Sequence, residues 1–124
     1  MAEIVRHGVT RRWSDLVLHQ GVAYFVEVPE DPTADLRGQI EQVFQQIEQR
    51  LRLVDSDKTR LLQVLIYLPE ASDLMLFNEL WEQWLPEGSA PSRACVHAPL
   101  AAKGYRLELV LTAAAGKRAA ETGA

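Results

Sequence analysis

Residues 92–98 read SRACVHA and residues 105–112 read YRLELVLT. If both are strands, side chains alternate between two faces, so Arg93, Cys95 and His97 share one side and Ala94, Val96 and Ala98 the other. In the second segment Tyr105, Leu107, Leu109 and Leu111 form an apolar face and leave Arg106, Glu108, Val110 and Thr112 opposite. With the small apolar side packed on helices, two adjacent strands would point Arg93, Cys95 and Glu108 away from the helices. A guanidinium can hold a carboxylate through two parallel hydrogen bonds. A nearby glutamate can activate water or move a proton once burial tunes it. The same pair would equally serve as a cross-strand ion pair on a solvated face.

Other chemistries are less well supported by spacing. A catalytic Cys95 needs a base and a setting that lowers its pKa, and His97 stands about 6–7 Å along the strand at a rise near 3.3 Å per residue. His7, His19 and His97 have no paired zinc-ligand spacing. Trp81 and Trp84 fall with Phe77 on one helical stripe, which suits a core better than a base-stacking platform. Gly21, Gly38 and Gly88 belong to no phosphate-binding loop.

The elements that must position Arg93 and Glu108 follow from periodicity. Two apolar runs within residues 13–28, separated by His19-Gln20-Gly21-Val22, read as a β-hairpin, stopped by Pro29 and Pro32. Residues 35–53 carry Ile40, Val43, Phe44, Ile47 and Leu51 at helical spacing, with Gln39, Glu41, Gln42, Gln45 and Glu48 on the other face and Thr33 or Asp35 as cap. The run LLQVLIYL, residues 61–68, reads as a strand buried on both faces. Ser72 or Asp73 caps a second helix that ends before Pro86. Strands over residues 93–98 and 105–112 follow. Two helices among five or six strands make an α+β fold in which the helices cover one sheet face. The opposite face must then be polar or be buried by another subunit.

The 124-residue chain has 13 Lys and Arg against 17 Asp and Glu, a net charge of −4. That balance lacks the basic footprint of a nucleic-acid binder. The single Cys fits a reducing, cytoplasmic setting. The N-terminal residues contain no apolar signal core, and no segment reaches the length of a membrane span. From residue 113 onward the large apolar residues disappear, as in a fraying tail.

Taken in order, RRWSDLVLHQGVAYF, TRLLQVLIYLPEASDLMLFNELWEQW, APSRACV and YRLELVLTAA resemble the reactive-intermediate deaminase (Rid, YjgF-like) family, and within it the short subgroup that begins near an RWSD motif. The resemblance spans about residues 4–114. It implies one domain over residues 1–114, a disordered tail over 115–124, a chorismate-mutase-like α+β fold and a homotrimer with sites at subunit clefts. It further implies hydrolysis of 2-aminoacrylate-type enamines and imines to 2-keto acids and ammonia, with no metal or cofactor. Residue by residue, Arg93 matches the arginine that binds the substrate carboxylate, and Cys95 the position whose backbone helps hold substrate. Glu108 matches the glutamate that positions water, and Asn78 a helix asparagine near the cleft. The chain departs from the pattern at Val26-Glu27-Val28-Pro29, where well-studied deaminases carry Ser-Gly-Gln. It also lacks the pocket tyrosine, for which Trp13 is the nearest aromatic. Glu27 would then stand at the pocket and could pair with Arg93, which favours the alternative of a non-catalytic trimer binding a small carboxylic acid or a protein partner. Some relatives carry an endoribonuclease label, which the acidic charge does not favour here.

Overall fold

The computed structural model describes residues 3–116. Ten elements follow in order: β1 (Ile4–His7), β2 (Leu16–His19), β3 (Val22–Glu27), α1 (Leu36–Leu53), a 3-10 turn (Lys58–Arg60), β4 (Leu61–Tyr67), a second 3-10 turn (Ala71–Asp73), α2 (Leu74–Trp84), β5 (Ser92–Val96) and β6 (Glu108–Ala114). The six strands form one sheet in the order β1-β2-β3-β6-β4-β5. Every pairing is antiparallel except β4 with β5, which run parallel.

The β2–β3 turn forms as expected. Gln20 and Gly21 both take left-handed backbone (φ 51° and 77°), which matches the twist of the flanking strands. Ahead of it, β1 adds an edge strand that the two-residue Ile4-Val5 apolar run was too short to announce. In α1, Asp35 is the cap: its Oδ1 accepts from the Gly38 N–H at 2.8 Å. Arg50 and Arg52 occupy the last turn, where cations complement the helix dipole. Asp73 precedes α2 but makes no capping bond to it; Arg106 takes its carboxylate instead. Gln39, expected on the outer face of α1, is buried at 1% exposure.

Both helices lie on one face, over Leu16, Phe25, Val64, Ile66, Leu109 and Leu111 of the sheet. Phe44, Phe77, Trp81 and Trp84 pack between the helices, with Phe44 and Trp84 stacked at 4.1 Å. The reading of β4 as buried on both faces is corrected: Leu61, Val64 and Ile66 are buried, but Leu65 and Tyr67 on the other side are only half-buried. That open side carries an apolar row across four strands, Val26–Val110–Leu65–Ala94, fixed by the strand register. Val26 is 50% exposed.

The tail expectation is corrected where it can be. Ala113 and Ala114 belong to β6. Ala115 and Gly116 are held by backbone bonds to the Gly21 and Val54 carbonyls, at 2.8 Å each. The rest of the expected tail lies outside the described residues.

Candidate functional site

Because α2 connects β4 to β5 as a parallel crossover, β5 lies at the sheet edge and β6 is inserted between β3 and β4. β5 and β6 are therefore not neighbours, and the expected common face for Arg93, Cys95 and Glu108 does not exist within one chain. On β4, Val64 faces Arg93 in register and Tyr67 faces Glu108. Val64 and Tyr67 are three residues apart, so their partners leave the sheet on opposite sides. Arg93 and Cys95 lie on the helix side, while Ala94, Val96 and Glu108 lie on the open side. This reverses the sequence assignment of β5. The offset of three residues along and two strands across corresponds to roughly 14 Å between the two backbones, from a rise near 3.3 Å and a strand spacing near 4.8 Å.

Arg93 is well held. Its Nη2 donates to Asn78 Oδ1 at 2.8 Å, and its guanidinium carbon lies 5.3 Å from the Trp81 ring centroid and 5.9 Å from that of Phe77. The aromatic faces and the asparagine fix the guanidinium plane, and the residue remains exposed, with further N–H donors for an anion. The helix stripe that builds the core thus supplies the platform for a surface cation. Cys95, on the same side, packs partly buried against the core. Burial pushes its thiol pKa up, against a smaller lowering by the Arg93 charge, which disfavours a thiolate. His97 does not serve Cys95: its Nδ1 lies 3.2 Å from the Leu68 carbonyl oxygen.

Glu108 stands half-buried at the start of β6, beside Tyr67. Among the described residues its carboxylate makes no hydrogen bond or ion pair. What leads into it is tightly fixed. Arg106 grips Asp73 with Nε and Nη2 at 3.0–3.2 Å. The Arg106 N–H donates to Gln39 Oε1 at 2.8 Å, while Gln39 Nε2 donates to the carbonyls of Pro32, Ala34 and Gly104 at 2.9–3.0 Å. This junction ties the starts of both helices to the segment before Glu108. Sequence reasoning missed it because a glutamine inside a polar-looking helix face gives no periodic signal.

Glu27 is not near Arg93, and the anticipated ion pair between them is overturned. Glu27 is the register partner of the buried Leu109, so it faces the helices at 3% exposure. Gln46 Nε2 donates to its Oε1 and Arg50 Nε to its Oε2, both at 3.0 Å. Burial raises its pKa above the ordinary 4.5, and the bonds from Gln46 and Arg50 offset part of that rise. Trp13 lies in the β1–β2 loop, 59% exposed. By register this loop and Glu108 are at the same end of the sheet. Two depressions lie on the helix side, one between α1 and Trp84, the other beside Trp81 with Leu85, Pro86 and Ala90; neither is lined by Arg93 or Glu108. Among the described residues no helix is long and apolar enough to cross a membrane.

Comparison with known proteins agrees with this architecture. A RutC family protein of Haemophilus ducreyi is 37% identical over 112 residues, 90% of this chain and 96% of that protein. The RutC family protein YoaB of Escherichia coli is 35% identical over 111 residues, 90% and 97% of the two chains. A solved structure of a YjgF family member from Neisseria meningitidis superposes with a TM-score of 0.88 at 33% identity, covering 94% of this chain and 98% of that one. The family model described as Endoribonuclease L-PSP matches residues 5–115. The chain belongs to that family, the YjgF-like (Rid) proteins.

Proposed function

We propose that the protein hydrolyses 2-aminoacrylate-type enamines and imines to 2-keto acids and ammonia, in clefts between the copies of a cytoplasmic homotrimer. The observation that carries this reading is the Arg93 guanidinium, oriented by Asn78, Phe77 and Trp81 yet open to solvent. Such a group is prepared for a planar carboxylate before substrate arrives. Glu108 supplies the second part. A half-buried carboxylate without a partner can orient water against an imine carbon and take its proton.

In one chain these groups are on opposite faces, so a common site requires Arg93 of one copy to meet Glu108 of the next. The open sheet face supports that assembly. Among the described residues both helices pack on the opposite side, leaving the apolar row across β3, β6, β4 and β5 uncovered, and a symmetric oligomer would bury it. Cys95 would contribute through its backbone, which needs no thiolate. Glu27 no longer favours a binding-only module, because Arg50 and Gln46 hold it away from the cation that it was expected to block. A nucleolytic role gains nothing from a net charge of −4.

The test is release of ammonia and keto acid from 2-iminobutanoate generated in situ. Wild type should accelerate the reaction, and Arg93→Ala and Glu108→Gln should lose most of that acceleration. A wild-type rate equal to buffer overturns the reading.

A further inference from the structure

Trp13 is exposed, yet it is not loose. The eight residues between β1 and β2 are organised around Thr10, whose Oγ1 accepts from the N–H groups of Arg12 and Trp13 at 3.1 and 3.0 Å, while the Thr10 N–H donates to the Trp13 carbonyl at 2.7 Å. The indole Nε1–H donates to Asp15 Oδ1 at 3.3 Å. The other carboxylate oxygen of Asp15 lies 3.9 Å from Arg50 Nη2, and Arg50 Nε is bonded to the buried Glu27. Trp13 is thus connected through Asp15 and Arg50 to a carboxylate beneath the sheet.

Gly8 shows that this placement of Asp15 is built in. Its φ is +64°, and a methyl group there would lie 2.0 Å from Asp15 Oδ2. The turn therefore both adopts a glycine conformation and leaves the space that the carboxylate occupies. Glu27 is the anchor for Arg50. A glutamate this deeply buried is costly unless paired, and Arg50 serves it while also reaching the half-exposed Asp15.

We propose that Glu27, Arg50 and Asp15 are positioning residues that fix the orientation of Trp13 at the end of the sheet where Glu108 stands, as one wall of the substrate cleft. The last clause rests on the deaminase reading given above; the connection itself does not. The charged groups that face Glu27 are Arg50 from α1 and Asp15 from the β1–β2 loop, with the neutral Gln46 beside Arg50. Protonating Glu27 removes the charge that holds the Arg50 guanidinium, shifts that cation's balance toward Asp15, and so changes the surroundings of the indole. Because burial raises the Glu27 pKa, this change falls above the pH range of an ordinary glutamate.

The test uses the full chain labelled with 5-fluorotryptophan, whose three fluorine resonances are assigned through Trp13→Phe and Trp84→Phe. In wild type the Trp13 signal should shift with a midpoint above 4.5, while that of Trp81 stays in place; Trp84, whose indole N–H donates to Glu48 at 2.9 Å, is not used as a reference. In Glu27→Gln that step should vanish. Asp15→Asn keeps an acceptor for the indole, lies on the surface, and should abolish the same step even if Glu27→Gln folds poorly. A step that persists in either variant, or one that moves the Trp81 resonance together with that of Trp13, overturns the proposal. Addition of 2-oxobutanoate separates the two readings. A ligand-induced shift at Trp13 supports its place in the cleft. No shift at saturating ligand, with the pH step behaving as stated, removes Trp13 from the cleft and overturns the positioning role, while Arg93→Ala still decides the deaminase reading. For the reaction, Glu27→Gln should raise KM and leave kcat within about twofold.

Discussion

Glu27 and Glu108 stand one register step apart on neighbouring strands, since Glu27 faces Leu109, and they meet opposite fates. Glu27 points to the helices, is 3% exposed and is held by Gln46 and Arg50. Glu108 points to the open face and is left without a partner among the described residues. Residue type does not distinguish them, and neither does position along the sheet. Strand parity does: a shift of one residue moves a side chain from a packed interior to a surface that only another molecule can cover. A carboxylate bound into a structural network has its oxygens occupied; one left open can handle water.

That contrast can be broken by experiment, beginning with the largest effect. Glu108→Gln should lower kcat by about 10²- to 10⁴-fold, the usual range for losing a general base, without loss of thermal stability. Retained activity would remove Glu108 from the chemistry. Arg93→Ala should lower kcat/KM by about 100-fold, corresponding to about 2–3 kcal/mol for charge-assisted bonds to a carboxylate, with most of the effect in KM. Asn78→Ala should be milder, about 1 kcal/mol or roughly fivefold in KM, because it only loosens the guanidinium; an effect as large as that of Arg93→Ala would show a direct role for Asn78.

The smallest effect concerns stability. With its folded pKa above the unfolded value near 4.5, Glu27 binds its proton more tightly in the folded state. Its contribution is therefore greatest below 4.5, declines as pH rises toward the folded pKa, and is constant above that. Urea denaturation of wild type across this window should show that decline, and Glu27→Gln should flatten it. An unchanged slope in Glu27→Gln would mean that the burial of Glu27 does not govern its titration.

Much of the fold was legible because burial writes itself into period. The α1 and α2 stripes, the glycine turn at Gln20-Gly21 and the apolar face of Leu107, Leu109 and Leu111 all follow from apolar spacing. The site was legible only as a set of residue types. The sequence places Arg93 on the wrong face because Ala94 and Val96 look like core residues. On an edge strand beside α2, however, the guanidinium gains more from Phe77, Trp81 and Asn78 than a small aliphatic side chain would. Adjacency of β5 and β6 was a reasonable expectation for consecutive strands, but the parallel crossover placed β4 between them. Gln39, Arg106, Arg50 and Asp15 were invisible because polar junctions over long sequence separations leave no local pattern.

In the proposed trimer one site takes Arg93 and Glu108 from different copies, and mixing the two impaired variants, with substrate held well below the KM of Arg93→Ala, separates this arrangement from a site within one copy. Arg93→Ala and Glu108→Gln should be unfolded and refolded together in equal amounts, then assayed with 2-iminobutanoate. If the groups come from different copies, random assembly gives each site a chance of about one half times one half of drawing an intact Arg93 from one copy and an intact Glu108 from its neighbour. Activity should then recover to about a quarter of wild type. Activity no higher than that of the two variants refolded separately would contradict the account.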